Sequence, residues 1–359
     1  MSTPSQRLIS LDVLRGITVA GMILVNNGYG ESFEMLQHSK WNGMTPCDLV
    51  FPFFLFIMGI SCYLSLVKCN FTPTKAVVLK VVRRTVLLFV IGLFVNWFHM
   101  ALKGDPLGFE HLRIWAVMQR IALCYLFVSL FALYANHKYT IVTIVVLLAV
   151  YTILLLCGNG YSENASVNIV AQADLKLFGY DHLYHKSPVD PEGLLGTISS
   201  TAHVLLGFYC GRIIKRSETL EKKIIGLFMV GIIAIVLGYL LSYGLPLNKR
   251  IWSPSYVLVT CGLAASLQAM LVTIIDVWQY KRWIPIFRVF GVNALALYVG
   301  SELLSIIFSR FDINDCIYNL LHAFITIPVW ASLAYALIFV GINYLLGYLL
   351  YRKQIFIKL

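Results

Sequence analysis

A run of amides, one imidazole and one carboxylate holds the residues best suited to chemistry. Asn26-Asn27-Gly28-Tyr29-Gly30 leads to His38-Ser39-Lys40-Trp41-Asn42-Gly43, and Thr45-Pro46-Cys47-Asp48 closes the segment. Polar side chains beside apolar stretches cost free energy unless they are paired or used. A histidine can take a proton or attack an electrophile near neutral pH, because its ordinary pKa is about 6.5. An asparagine N–H can donate to a developing oxyanion. A carboxylate can orient an imidazole. The set suits movement of an acyl group, with His38 at the chemistry. Cys47 is the only cysteine placed near this chemistry; most of the other seven read as small buried hydrophobes.

These residues need a frame, and composition says what kind. The chain is 359 residues long, 59% hydrophobic and 13% charged, against about 25% charged in soluble domains. Apolar stretches of spanning length fall at about 11–27, 46–67, 76–100, 114–135, 139–157, 194–213, 223–244, 254–276, 290–309 and 324–350. The expected fold is all-α: a polytopic integral membrane bundle of about ten transmembrane helices, forming a single domain over 1–359. Residues 282–289 read as a short interfacial helix.

The net charge of +11 could suggest nucleic acid, but its distribution argues against it. Arg7, Lys80, Arg83, Arg84, Lys138, Arg212, Arg216, Lys222, Arg282 and Lys358 all fall on one side of the helix map. Most acids fall on the other, together with Lys186. By the positive-inside rule both termini are cytoplasmic, and no nucleic-acid partner is expected. The loop at about 158–193 is then extracytoplasmic and long enough to be functional.

Several helix starts on the outer side have clear signals. Thr45-Pro46-Cys47-Asp48, Asp190-Pro191-Glu192 and Ser253-Pro254-Ser255 read as caps with proline in the first turn. Helix N-termini converging on one cavity would also suit an anion. Arg15 and Arg120 lie within spans, where an arginine costs about 2.5–3.5 kcal/mol on insertion scales. They should face the interior and pair with Asp12, Asp276 or Glu302, or with a cofactor. No zinc spacing is visible, His182-x-x-His185 included, and no metal is expected. Trp41 could stack on a sugar or anchor at the interface.

The chain resembles the heparan-α-glucosaminide N-acetyltransferase family. The resemblance begins in Leu11-Asp12-Val13-Leu14-Arg15-Gly16. It is most specific in His38-x-x-Trp41-Asn42-Gly43-x-Thr45-x-x-Asp48-Leu49-Val50-Phe51-Pro52-Phe53-Phe54. It continues through Leu112-Arg113-Ile114, Met118-Gln119-Arg120, Asp190-Pro191-Glu192-Gly193, Asn248-Lys249-x-x-Trp252 and Gly291-x-Asn293. The resemblance implies transfer of acetyl from cytosolic acetyl-CoA to an amino sugar across the membrane, with Asn26 and His38 at the catalytic positions. On that reading His38 is the base or transient acyl carrier, Asn26 polarises or positions the acyl group and Asp48 supports His38, and direct transfer and an acetyl-histidine intermediate both remain open. Coenzyme A phosphates would be received by Arg15, Arg83, Arg84, Arg120 and Asn293. Trp41, Asn42, Asp190, Glu192 and Lys249 would line the acceptor pocket. A lumenal N-terminal domain carried by lysosomal members is not expected here, which points to a bacterial inner-membrane homologue. Expected partners are a glycan or amino-sugar acceptor, membrane lipid and a second copy of the chain. The competing reading is a transporter of amino sugars or oligosaccharides.

Overall fold

A computed structural model describes residues 8–184 and 187–357. Arg7, His185, Lys186 and Lys358 lie outside the described residues. Within them the protein is all helical: α1 (Ile9–Asn26), α2 (Val50–Leu66), α3 (Lys75–Leu102), α4 (Val117–Tyr134), α5 (Thr140–Cys157), α6 (Ile169–Phe178) and α7 (Gly196–Arg216). Then come α8 (Leu220–Ser242), α9 (Pro254–Val272), α10 (Ile284–Val292), α11 (Ala294–Arg310), α12 (Ile313–Phe324) and α13 (Pro328–Arg352).

Among the described residues, seven helices are long and apolar enough to cross a membrane: α1, α2, α4, α5, α8, α9 and α13. The pair α10–α11, bent by 80°, makes an eighth if taken as one span. α3 and α7, of 28 and 21 residues, are about 42 and 31 Å long. The expected interfacial helix is α10, and it turns sharply at Asn293 into α11.

α2 and α7 form the centre. Gly59 on α2 meets the Val204 carbonyl, and Gly207 on α7 meets the Phe56 carbonyl, so a side chain at either position would overlap the opposite backbone. Small residues let helix backbones approach closely where lipid gives no hydrophobic drive for association. α1, α4 and α9 pack around this pair. The described chain ends meet on one face. Asn293 donates to Ile355 O at 2.9 Å and accepts from Ile357 N at 2.9 Å. Nearby, Arg15 Nη1 donates to Gly291 O at 3.3 Å.

One expectation about the loops is corrected, and one loop gains a helix. The 158–193 connection holds helix α6, capped by Asn168, whose side chain accepts from Val170 N and Ala171 N. Asp190 does not cap α7, which starts at Gly196 after Leu195 with no side-chain cap. The Asp-Pro-Glu pattern instead forms a turn before the helix, where Asp190 Oδ1 accepts from Glu192 N at 3.0 Å.

The turn rests on α6. Asp174, 1% exposed, accepts from Leu194 N at 2.9 Å. Burial pushes its carboxyl up to about 6, opposed by the Leu194 N–H, while nearby Asp190 adds to the rise and Arg120 opposes it. A carboxyl raised above its unfolded value of 3.8 favours the fold most when protonated. Its contribution is full below about pH 4 and is lost as pH rises through about 6. Asp174→Asn keeps the acceptor oxygen and removes the charge. The variant should gain up to about 3 kcal/mol at pH 7 and nothing at pH 4. Thermal melts of both proteins across that range check this; an equal difference at both pH values would refute it.

Candidate active site

Two loops far apart in sequence meet at the mouth of the bundle, on the face opposite the chain ends. The first joins α1 to α2 and carries His38. The second joins α8 to α9 and carries Lys249.

Asp48 organises the first loop, and its two oxygens do separate work. Oδ2 accepts from Ser39 N at 3.2 Å, Thr45 N at 3.1 Å and Thr45 Oγ1 at 3.2 Å. This is the capping box expected from Thr45-Pro46-Cys47-Asp48. Oδ1 lies 2.7 Å from His38 Nδ1 and 3.3 Å from Lys249 Nζ. An ionised carboxylate can only accept, so the Nδ1 proton must point at it. That leaves the lone pair of a neutral ring on Nε2. Asp48 is fully buried, whereas the His38 side chain is 45% exposed. The carboxylate is shielded and the ring is open to the surface.

The second loop is tied just as tightly. Asn248 Oδ1 accepts from Arg250 N at 2.8 Å and Ile251 N at 3.2 Å, and Ser253 Oγ accepts from Asn248 N at 3.0 Å. Trp252 sits at φ +53°, a left-handed conformation that costs a bulky residue about 1–2 kcal/mol. The turn projects Lys249 Nζ to 3.0 Å from His38 Nδ1 and 3.3 Å from Nε2. Cys47 Sγ approaches His38 Nδ1 at 3.1 Å from the other loop.

Cross-links hold the loops together. Gly43 N donates to Leu247 O at 2.7 Å, Asn248 Nδ2 to Asn42 Oδ1 at 3.2 Å, and Arg250 Nε to Lys40 O at 2.8 Å. From α9, the Tyr256 hydroxyl donates to Asp48 O at 2.6 Å. Trp41 is 5% exposed, and its indole N–H donates to Tyr161 O at 2.9 Å. It packs under the loop with Tyr151, Val170 and Ile251. Its face is therefore not offered to a sugar, which corrects the stacking expectation.

The other sequence candidates divide into separate clusters. Asn26 ends α1, is exposed, and donates to Glu302 Oε1 on α11 at 3.2 Å. Of the acids expected as partners for Arg15 and Arg120, Asp12 meets Arg15 at 3.1 Å, and Arg15 also donates to Ser61 Oγ at 2.9 Å. Asp190 and Glu192 both grip Arg113, at 2.8 and 2.9 Å. Burial raises the Asp190 carboxyl while Arg113 pulls it down. Arg120 is 1% exposed, donates to Gly193 O at 2.8 Å and lies 5.1 Å from the Trp252 ring centroid. It thus braces the Lys249 loop from beneath. Arg84 stacks 4.5 Å over Tyr125, and its buried Nε has no hydrogen-bond partner. Arg83 is exposed beside it.

The direct contacts of Lys249 and Cys47 with His38 were not read from sequence, nor was the place of Arg113 between Asp190 and Glu192. Cys47 adjoins the Asp48 cap, a local signal. Lys249 lies 211 residues from His38, and nothing local announces the meeting.

A multi-pass helix bundle with a carboxylate-held imidazole at one mouth defines the class of protein. Residues 7–179 match the family model described as heparan-alpha-glucosaminide N-acetyltransferase, catalytic. The chain is 28% identical over 416 residues to the mouse (Mus musculus) heparan-alpha-glucosaminide N-acetyltransferase and 29% identical over 417 residues to the human (Homo sapiens) one. The alignments cover 99% and 100% of this chain and 61% of each relative, so the chain spans about three-fifths of their length. The resemblance read from the His38–Phe54 block is borne out: the chain is similar to this acetyltransferase family along its whole length. Asn26, His38 and Asp48 fall inside the matched range, whereas Lys249 lies beyond it.

Proposed function

We propose that this protein moves an acetyl group from cytosolic acetyl-CoA to the amine of a terminal glucosamine or related amino sugar on the outer side of a bacterial inner membrane. The observation that carries the reading is the Asp48–His38 contact of 2.7 Å within the range that matches the family's catalytic model. With the Nδ1 proton pointing at Asp48, the lone pair of the neutral His38 ring is on Nε2, 3.3 Å from Lys249 Nζ. In direct transfer Nε2 accepts the amine proton as nitrogen attacks the thioester carbonyl, and it passes that proton to the departing thiolate. In two-step transfer Nε2 itself attacks the thioester carbonyl and the C–S bond breaks, releasing CoA as thiolate; the amine then attacks the acetyl on Nε2, the N–C bond breaks to restore the neutral ring, and the amine proton goes to the thiolate. Lys249 offsets the Asp48 charge and can donate to the carbonyl oxygen as charge develops there.

The residues suit acetyl-CoA. Arg15 and Arg84 sit around Ser61 and Cys62 of α2, about two turns in from the basic end. The orphaned Arg84 Nε is a donor for phosphate. From Arg15 to Asn26 along α1 is about 16 Å, a distance suited to an extended pantetheine arm. Asn26 ends α1 toward the outer mouth and is the expected oxyanion donor. Asn42 edges the Lys249 loop and can contact the acceptor.

The test uses sealed vesicles of the purified protein, with labelled acetyl-CoA on the basic face and glucosamine on the other. The expected result is N-acetylglucosamine carrying label in the glucosamine compartment. Label left on CoA while unmodified sugar crosses would make the protein a transporter and overturn the proposal.

A further inference from the structure

A pocket lies on the basic face, at the edge of the bundle. α5 and α8 both pack on α7 but hardly touch each other, leaving a crevice along α7. At its basic end are two adjoining cavities of about 730 and 290 Å³. Lys138, Arg212 and Arg216 line both. Arg212 is held across the opening by a bond from Nη1 to His137 O at 2.9 Å. The one carboxylate lining the crevice, Glu218, pairs with Lys222 at 2.8 Å. Three cations therefore face the cavity with no acid matched to them among the described residues.

Below the charges the walls become apolar. Ile141, Ile213 and Gly226 continue the lining. Farther along, α5 presents Val142 and Val145, 57% and 59% exposed, and α8 presents Ile225 and Met229, 62% and 54% exposed. These two spans are among the least buried in the protein, at 28% and 22%. Their open flanks face the surroundings of the bundle. A soluble polyanion would match the cations but leave the apolar walls bare. A phosphodiester with two acyl chains matches both. Basic pockets between spanning helices on the cytoplasmic side suit anionic headgroups, each lysine or arginine adding to the attraction.

We infer that this crevice binds one anionic phospholipid. Its phosphate sits among Lys138, Arg212 and Arg216, and its chains lie in the groove between α5 and α8. The site stands apart from Arg15 and Arg84, since α5 and α8 pack chiefly on α7 and α9. It does not depend on the acetyl-transfer reading.

The experiment takes the delipidated full chain in neutral detergent and adds phosphatidylglycerol, phosphatidylcholine or free coenzyme A. Retained ligand is counted by native mass spectrometry, and melting is followed in parallel. Phosphatidylglycerol should be retained one per chain and raise the melting temperature, and phosphatidylcholine should do neither. Lys138→Gln/Arg216→Gln changes two exposed side chains, so the fold should stand. It should cut phosphatidylglycerol retention roughly thirtyfold. Equal retention of both lipids, or an unchanged double variant, would overturn the inference. Displacement of the lipid by coenzyme A that the double variant abolishes would assign the crevice to the nucleotide instead, which also overturns it.

Discussion

His38→Ala should lower acetyl transfer by about 10²–10⁴-fold, the range that a positioned acid–base group contributes. The methyl group can neither accept the amine proton nor attack the thioester. The fold should survive. The ring is 45% exposed on its side chain and its charge-supporting bond is to Asp48, which keeps Lys249 at 3.3 Å and the three donors of its own loop. A half-exposed truncation with those bonds intact should shift stability by no more than about 1 kcal/mol. Initial rates with labelled acetyl-CoA, read beside a thermal melt, separate the two quantities. Full activity in the alanine variant would remove His38 from the chemistry.

Asp48→Asn should be nearly as damaging to rate and worse for stability. The carboxylate hydrogen-bonds four donors, His38 Nδ1, Ser39 N, Thr45 N and Thr45 Oγ1, and pairs with Lys249 Nζ at 3.3 Å. An amide has one oxygen to offer. If that oxygen stays with the Ser39 and Thr45 backbone, the new NH₂ faces Nδ1 and forces it to accept. The ring proton then moves to Nε2, and the base is lost. If the amide flips, its NH₂ opposes two backbone N–H groups in a fully buried site, which costs about 1–3 kcal/mol. The first case predicts a rate loss of order 10²–10⁴; the second predicts a lower melting temperature as well. A variant within threefold of the parent rate would show that Asp48 only caps a helix.

What the sequence revealed depended on how far apart the interacting residues are. The Thr45–Asp48 capping box was readable because its partners are three residues apart and bond to the local backbone. The apolar stretches marked helices throughout, and the short helix read at 282–289 corresponds to α10. α12 was not, because its apolar side chains share the helix with Asn314, Asp315, Asn319 and His322, so it lacks the uniform run that marks a span. Asp190 misled for the opposite reason. Its Asp-Pro-Glu triplet has the right residues for a cap but sits five residues too early, where Arg113 gives it another use. Arg15 had three candidate acids in the sequence, and it takes Asp12, one helical turn away. Lys249 beside His38 is set by helix packing alone.

The bonds between the His38 loop and the Lys249 loop also have a consequence for biosynthesis. A ribosome making this chain delivers the imidazole early and its cationic neighbour some two hundred residues later. Until the polypeptide has been threaded as far as Tyr256, the half-made protein lacks the assembled cluster of His38, Asp48 and Lys249.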